Sequence, residues 1–287
     1  MPRFADRFWT SPDGVKLHYR DYAGPHERPP ILCIPGLTRN ARDFEPLAER
    51  FAGEWRVIAV DLRGRGESGY DPVPANYAPH VYASDLLKLL DQLGIADAVF
   101  VGTSLGGIIT MVMALNDVDR MAGVLLNDVG PELDQRGLDR IMSYVGASPV
   151  YTDWNELARD LAVRNADVFP RFDEAAWLAY AHRSAAIRDG VIRFDYDPAI
   201  VEPFNAANSG PPMSIWPMFE ALAGRPLTVL RGGVSDLLSV ATAERMAREI
   251  PDVELVTVAD VGHVPTFDEP ESLEAVDRLL ARVLLKG

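Results

Sequence analysis

Short, nearly continuous apolar runs recur along the chain: ILCI from Ile31, VIAV from Val57, AVFV from Ala98, GVLL from Gly123, LTVL from Leu227 and VELVTV from Val253, the last two interrupted by Thr228, Glu254 and Thr257. Such runs suit strands covered on both faces, as in a parallel sheet. Between them lie segments of helical period: ARDFEPLAERFA from Ala41, PHVYASDLLKLLDQLG from Pro79, LGGIITMVMALN from Leu105, ATAERMAREI from Ala241 and PESLEAVDRLLARVLL from Pro270. The last opens on Pro270 with Glu271 and Glu274 behind it, the residues that a helix N-terminus favours. The segment from Leu105 is apolar nearly all round, which predicts a helix buried beneath the sheet. At the N-terminus, Asp13-Gly14 separates two stretches, the second alternating through Val15, Leu17 and Tyr19, the pattern of an antiparallel hairpin. Together these predict an α/β fold with a mostly parallel sheet of about eight strands and helices on both faces.

One interval breaks the rhythm. Residues 131–217 show no clear strand run but hold helical pieces, DWNELARDLAVRNA and DEAAWLAYAHRSAAI, with Pro211 and Pro212 near the end. The expected organisation is therefore a core domain of residues 1–130 and 218–287 with an inserted helical lid of residues 131–217. The insert carries nearly half of the chain's aromatic residues in under a third of its length. That enrichment suits a wall over an apolar pocket as well as a small core of the insert's own. Trp154, Trp177, Tyr180 and Trp216 are its candidate substrate-binding residues.

Composition narrows the classes. A hydrophobic share of 48% with 24% charged residues is that of a globular protein. No run is apolar enough for a membrane span and the opening residues lack the pattern of a secretory signal, so a cytoplasmic protein is expected. The net charge of −14, with its basic residues dispersed, argues against a nucleic-acid partner. Cys33 is the only cysteine, which excludes an internal disulfide and a cysteine-based zinc site.

The chemistry centres on Gly102-Thr103-Ser104-Leu105-Gly106, a G-x-S-x-G sequence between a predicted strand and a predicted helix. In that context a serine is held on a sharp turn with its hydroxyl exposed, and the glycines remove side chains that would collide as strand and helix approach. A serine nucleophile needs a histidine base and an acid that orients it. His263 lies after the last predicted strand and before the final helix. The other histidines, His18, His26, His80 and His182, fall in the hairpin, a loop, a helix start and the insert. Asp236, after the strand from Leu227, is the expected acid, with Asp128 and Asp260 as alternatives. The oxyanion donors are expected to be the backbone N–H groups of Leu37 and Leu105.

With these residues in place, the chain resembles the α/β-hydrolase fold family along nearly its whole length. GTSLGG, SDLLS and GHVPTFDEP carry the likeness, together with DLRGRGESG from Asp61 to Gly69, which looks like the family's turn after the fourth strand and implies an architectural role for Asp61, Arg63, Gly64 and Ser68. Where many relatives have His-Gly at the oxyanion loop, this chain has Pro35-Gly36. The resemblance implies a serine hydrolase acting on a small, largely apolar carboxylic ester through an acyl-enzyme, with no metal and no cofactor. Lactone or carbon–carbon bond hydrolysis, and a ligand-binding receptor that keeps the fold, are the alternatives. Val264 after the histidine departs from the tryptophan common in carbon–carbon hydrolases of the family. Arg183, in the insert, is a candidate partner for a substrate carboxylate or for a surface ion pair. Oligomeric state is not legible.

Overall fold

A computed structural model describes residues 4–208 and 214–286, so Pro211 and Pro212 lie outside the described residues. The expected hairpin forms from β1 (Ala5–Thr10) and β2 (Lys16–Tyr22), with Gly14 at a φ of 92° in the turn. Alternating strands and helices follow: β3 (Ile31–Ile34), α1 (Glu45–Phe51), β4 (Val57–Asp61), α2 (Pro79–Gln92), β5 (Ala98–Thr103), α3 (Leu105–Asp117) and β6 (Met121–Asn127). The interval then supplies α4 (Gln135–Met142), β7 (Val150–Tyr151), α5 (Trp154–Asn165), α6 (Glu174–Ser184), β8 (Ala185–Arg188), β9 (Val191–Phe194), α7 (Val201–Asn208) and α8 (Trp216–Glu220). The chain closes with β10 (Leu227–Gly232), α9 (Val240–Glu249), β11 (Glu254–Val258) and α10 (Pro270–Lys286).

Eight strands form one sheet in the order β1-β2-β4-β3-β5-β6-β10-β11. From β4 to β11 every pairing is parallel, and the hairpin adds to one edge antiparallel through β2. β3, β4, β5, β6 and β10 are buried almost throughout, as their apolar runs require. Two core clusters, one on each face, account for this. One gathers side chains of α2, α3 and α8, and the other those of α1 and α10 with residues of α5 and α6.

The interval differs from its expected all-helical character. β7, β9 and β8 pair antiparallel in a second, three-stranded sheet. Asp189 and Gly190 join β8 to β9 with φ values of 53° and 80°, the positive-φ pair that a two-residue hairpin turn needs. Each strand is four residues or fewer and β8 exposes Ile187, so no apolar run marks them in the sequence. The expected boundary at Pro217 falls inside α8, whose Trp216 and Phe219 belong to the core cluster beside α3.

The turn after β4 is architectural. The Asp61 carboxylate accepts from the backbone N–H groups of Ala41 and Glu67 and meets His18 Nδ1 at 2.7 Å, while Ser68 donates to the Asp61 carbonyl. Arg63, fully buried, is neutralised by Asp85, Asp71 and Asp13. Among the described residues no helix is long and apolar enough to cross a membrane.

Candidate active site

The parallel strands bring their carboxyl ends to one edge, and the loops there carry the candidate residues. Ser104 stands between β5 and α3 at φ 51° and ψ −115°, outside the regions that a side chain ordinarily adopts. Its neighbours explain how the turn closes. A Cβ at Gly106 would lie 2.1 Å from the carbonyl oxygen of Ile34, and one at Gly102 would lie 2.6 Å from the carbonyl oxygen of Gly106. Neither position admits a side chain. Gly106→Ala is accordingly expected to lower the unfolding temperature and to displace Ser104, read as loss of both thermal stability and turnover.

Ser104 Oγ lies 3.0 Å from His263 Nε2, and His263 Nδ1 lies 2.8 Å from Asp128 Oδ2. An anionic oxygen at Nδ1 selects the tautomer with its proton there, which leaves Nε2 free to accept from the serine hydroxyl. The loop carrying His263 is pinned on two sides: Asn127 Nδ2 donates to the carbonyl of Pro265, and Gly262 N–H donates to that of Val168.

The acid in contact with His263 is thus Asp128, where Asp236 is the expected one. Asp128 follows β6 directly, at φ 52°, and is fully buried. Its carboxylate also accepts from Gly232 N–H at 2.9 Å and Ser235 Oγ at 2.6 Å, so both oxygens are satisfied by donors fixed in the fold. Asp236, one residue beyond Ser235, turns the other way. Both of its oxygens accept from Arg140 of α4, at 2.6 and 2.8 Å. Burial alone would raise the Asp236 carboxyl, but the arginine outweighs it and holds the group below its usual range. Asp260 pairs with Arg171 at the surface.

Gly36 brings the loop after β3 against Ser104: a Cβ there would stand 3.6 Å from Ser104 Cβ. The next residue, Leu37, lines the same cavity as Ser104, and Leu105 is the first residue of α3. Among the described residues neither amide donates to a protein acceptor. Unengaged N–H groups so placed are what an oxyanion site requires.

Ser104 and His263 open onto a cavity of about 430 Å³ walled on one side by the loops of the sheet edge and on the other by the insert. A sequence model described as the alpha/beta hydrolase family matches residues 31–276. This chain belongs to the alpha/beta hydrolase family. It is similar along its length to a crystal structure of an alpha/beta hydrolase from Novosphingobium aromaticivorans, at 51% identity and a TM-score of 0.94, with 98% of this chain and 99% of that one covered. Among curated proteins it is similar to the 3-hydroxybutyrate-oligomer hydrolase of Cupriavidus necator, 33% identical with 95% of each chain covered. It is also similar to the 2-(acetamidomethylene)succinate hydrolase of Mesorhizobium japonicum, 28% identical with 88% of each covered. These relatives are hydrolases, and hydrolysis is the activity class they support.

Of the four insert aromatics expected to bind substrate in this alpha/beta hydrolase, only Tyr180 lines the cavity. Trp154 stacks on His182 at 4.0 Å, Trp177 packs among Phe169, Phe172 and Tyr180, and Trp216 donates to Glu132 beneath Arg245. An indole has more apolar surface to bury than a phenol, and these tryptophans are used in packing, Trp216 in the core cluster beside α3. Trp177→Ala is expected to destabilise the protein by about 3–5 kcal/mol, measured by denaturant unfolding. Tyr144, Phe194 and Tyr196 line the cavity instead, beside Leu37, Ile141 and Val264. Arg183 pairs with Asp268 and does not reach this cavity.

Proposed function

We propose that this alpha/beta hydrolase cleaves a small carboxylic ester with Ser104 as nucleophile. The observation that carries the reading is the unbroken chain Ser104, His263, Asp128, the first two of which line the cavity. Ser104 Oγ attacks the carbonyl carbon as its proton passes to His263 Nε2, and the oxyanion forms between the amides of Leu37 and Leu105. The imidazolium, held by Asp128, returns that proton to the departing alkoxide, which leaves as the alcohol. Water then gives a proton to Nε2 and its oxygen to the acyl carbon, and the acid leaves as the serine is restored. The insert serves as the lid that limits what reaches Ser104 and keeps bulk water from the intermediate.

The cavity volume of about 430 Å³ suits a substrate of modest size. The ester bond, rather than an amide, is favoured by the relative named 3-hydroxybutyrate-oligomer hydrolase, which aligns over 95% of this chain. A fluorophosphonate probe is expected to label Ser104, and p-nitrophenyl butyrate to be turned over continuously. Labelling without sustained turnover would identify a ligand-binding receptor; absence of both, or turnover confined to amides, would sink the reading.

A further inference from the structure

The chain has 42 acidic and 28 basic residues, yet the lining of its main cavity has the opposite balance. Among the described residues, Arg39, Arg140 and Arg164 line the cavity and no carboxylate does. Each arginine has its carboxylate partner behind it: Asp43, Asp236 and Asp160 respectively. The pairs are therefore oriented, with their positive ends toward the space in front of Ser104.

Arg140 is the one whose construction suits a ligand. Its helix α4 is docked on the loop after β10: Asp134 N–H donates to the Leu237 carbonyl at 2.8 Å, and Gly137 N–H to that of Asp236 at 3.1 Å. A Cβ at Gly137 would stand 2.8 Å from that last oxygen, so the close approach depends on glycine. One turn further on, Arg140 gives Nε and Nη2 to Asp236. That occupies one edge of the guanidinium, and among the described residues Nη1 has no protein acceptor. The side chain is a quarter exposed, at 25%, and the residue lines the cavity. Tyr144, four residues on, lines the same wall with a hydroxyl that burial pushes up to about 12, so it remains a donor. By contrast, Arg39 spends Nε and Nη2 on Asp43 and Nη1 on Ser184, and Arg164 is nearly half exposed.

A planar guanidinium with one edge fixed and the other open matches a carboxylate. We propose that Arg140, positioned by Asp236, is a specificity-determining residue that binds a free carboxylate on the substrate, so that the preferred ester is a monoanion. The reaction class rests on the ester-hydrolase reading above, whereas the anion site does not.

Two pairs of substrates test it. p-Nitrophenyl hydrogen glutarate against p-nitrophenyl valerate places the carboxylate on the acyl half, and O-butyryl lactate against its methyl ester places it on the alcohol half. In one of these pairs the anionic member is expected to have the higher kcat/KM by about 10- to 100-fold, the size of one or two hydrogen bonds to a charged group, with most of the effect in KM. The pair that carries the preference identifies the half of the substrate that faces Arg140. The preference is expected to vanish in the double variant Arg140→Gln with Asp236→Asn, in which no released carboxylate can repel the substrate, and to survive in part in Arg140→Lys. A wild-type ratio at or below one in both pairs, or a ratio that persists in the double variant, overturns the proposal. Calorimetry on Ser104→Ala protein gives a readout free of turnover: monomethyl glutarate or lactate is expected to bind, and to lose that binding when Arg140→Gln is added. Binding that depends on Arg140 with no ester turned over would defeat the ester reading and leave the anion site standing; neither binding nor anionic preference would defeat the anion site.

Discussion

Ser104→Ala is expected to abolish fluorophosphonate labelling and to lower kcat for the accepted ester by about a million-fold, the loss typical when a serine nucleophile that acts as one unit with its base is removed. The reason is geometric. Ser143, Thr38 and Thr103 also lie at the cavity, but only Ser104 Oγ has the hydrogen bond to His263 Nε2 that lets a proton leave as the oxygen attacks. The variant is also expected to keep its fold, because the Ser104 side chain caps no helix and its only hydrogen bond among the described residues is the one to His263. Mass spectrometry of the labelled protein and the unfolding temperature check the two halves together. Labelling that persists at an unchanged rate would remove Ser104 from the reaction.

Asp128→Asn is expected to lower kcat/KM by about 10,000-fold, as in serine hydrolases whose orienting acid becomes an amide. An asparagine there has one oxygen for three donors. Gly232 N–H, Ser235 Oγ and His263 Nδ1 all converge on the carboxylate, and an amide NH₂ turned toward any of them meets a donor or forces the imidazole into the tautomer that cannot accept from Ser104. Asp236→Asn, in the same assay on an uncharged ester, is expected to cost no more than about tenfold, since it weakens the placement of Arg140 and leaves His263 supported. The ratio of the two losses is the measurement. A larger loss at Asp236 would restore that residue as the orienting acid.

The difference between those two aspartates marks how far the sequence could be read. The strands were legible from their short apolar runs, and Ser104 was legible as a candidate because its flanking glycines fit a serine exposed on a strand-to-helix turn, with a histidine and acids at later strand ends. The place of His263 followed from the loop between the last strand and the last helix. Asp128 and Asp236 satisfy the same one-dimensional rules: each follows an apolar strand, and each lies between serine and histidine. What separates them is lateral. β6 lies next to β5, so Asp128 emerges one strand away from Ser104, whereas β10 lies one strand further and sends forward Ser235 in support of Asp128. Strand order is not written in any local run of residues. The insert was harder still, because aromatic content gives quantity and no direction. Its tryptophans face packing, Trp216 in the core beside α3, while Tyr144, Tyr180 and Tyr196, whose rings end in a polar atom, share the cavity wall.

The split of the sheet around the insert has a consequence for how the protein is made. Ser104 and Asp128 are synthesised before the insert, but Gly232, Ser235 and His263, the three partners of the Asp128 carboxylate, come after it. On the ribosome the growing chain therefore holds Ser104 without His263, and Asp128 without its three donors, until β10 has paired with β6 and the loop beyond β11 has emerged. On the proposed mechanism, hydrolytic competence arrives late in translation, and a chain cut short before His263 is expected to be silent towards a fluorophosphonate probe however much of its sheet has formed.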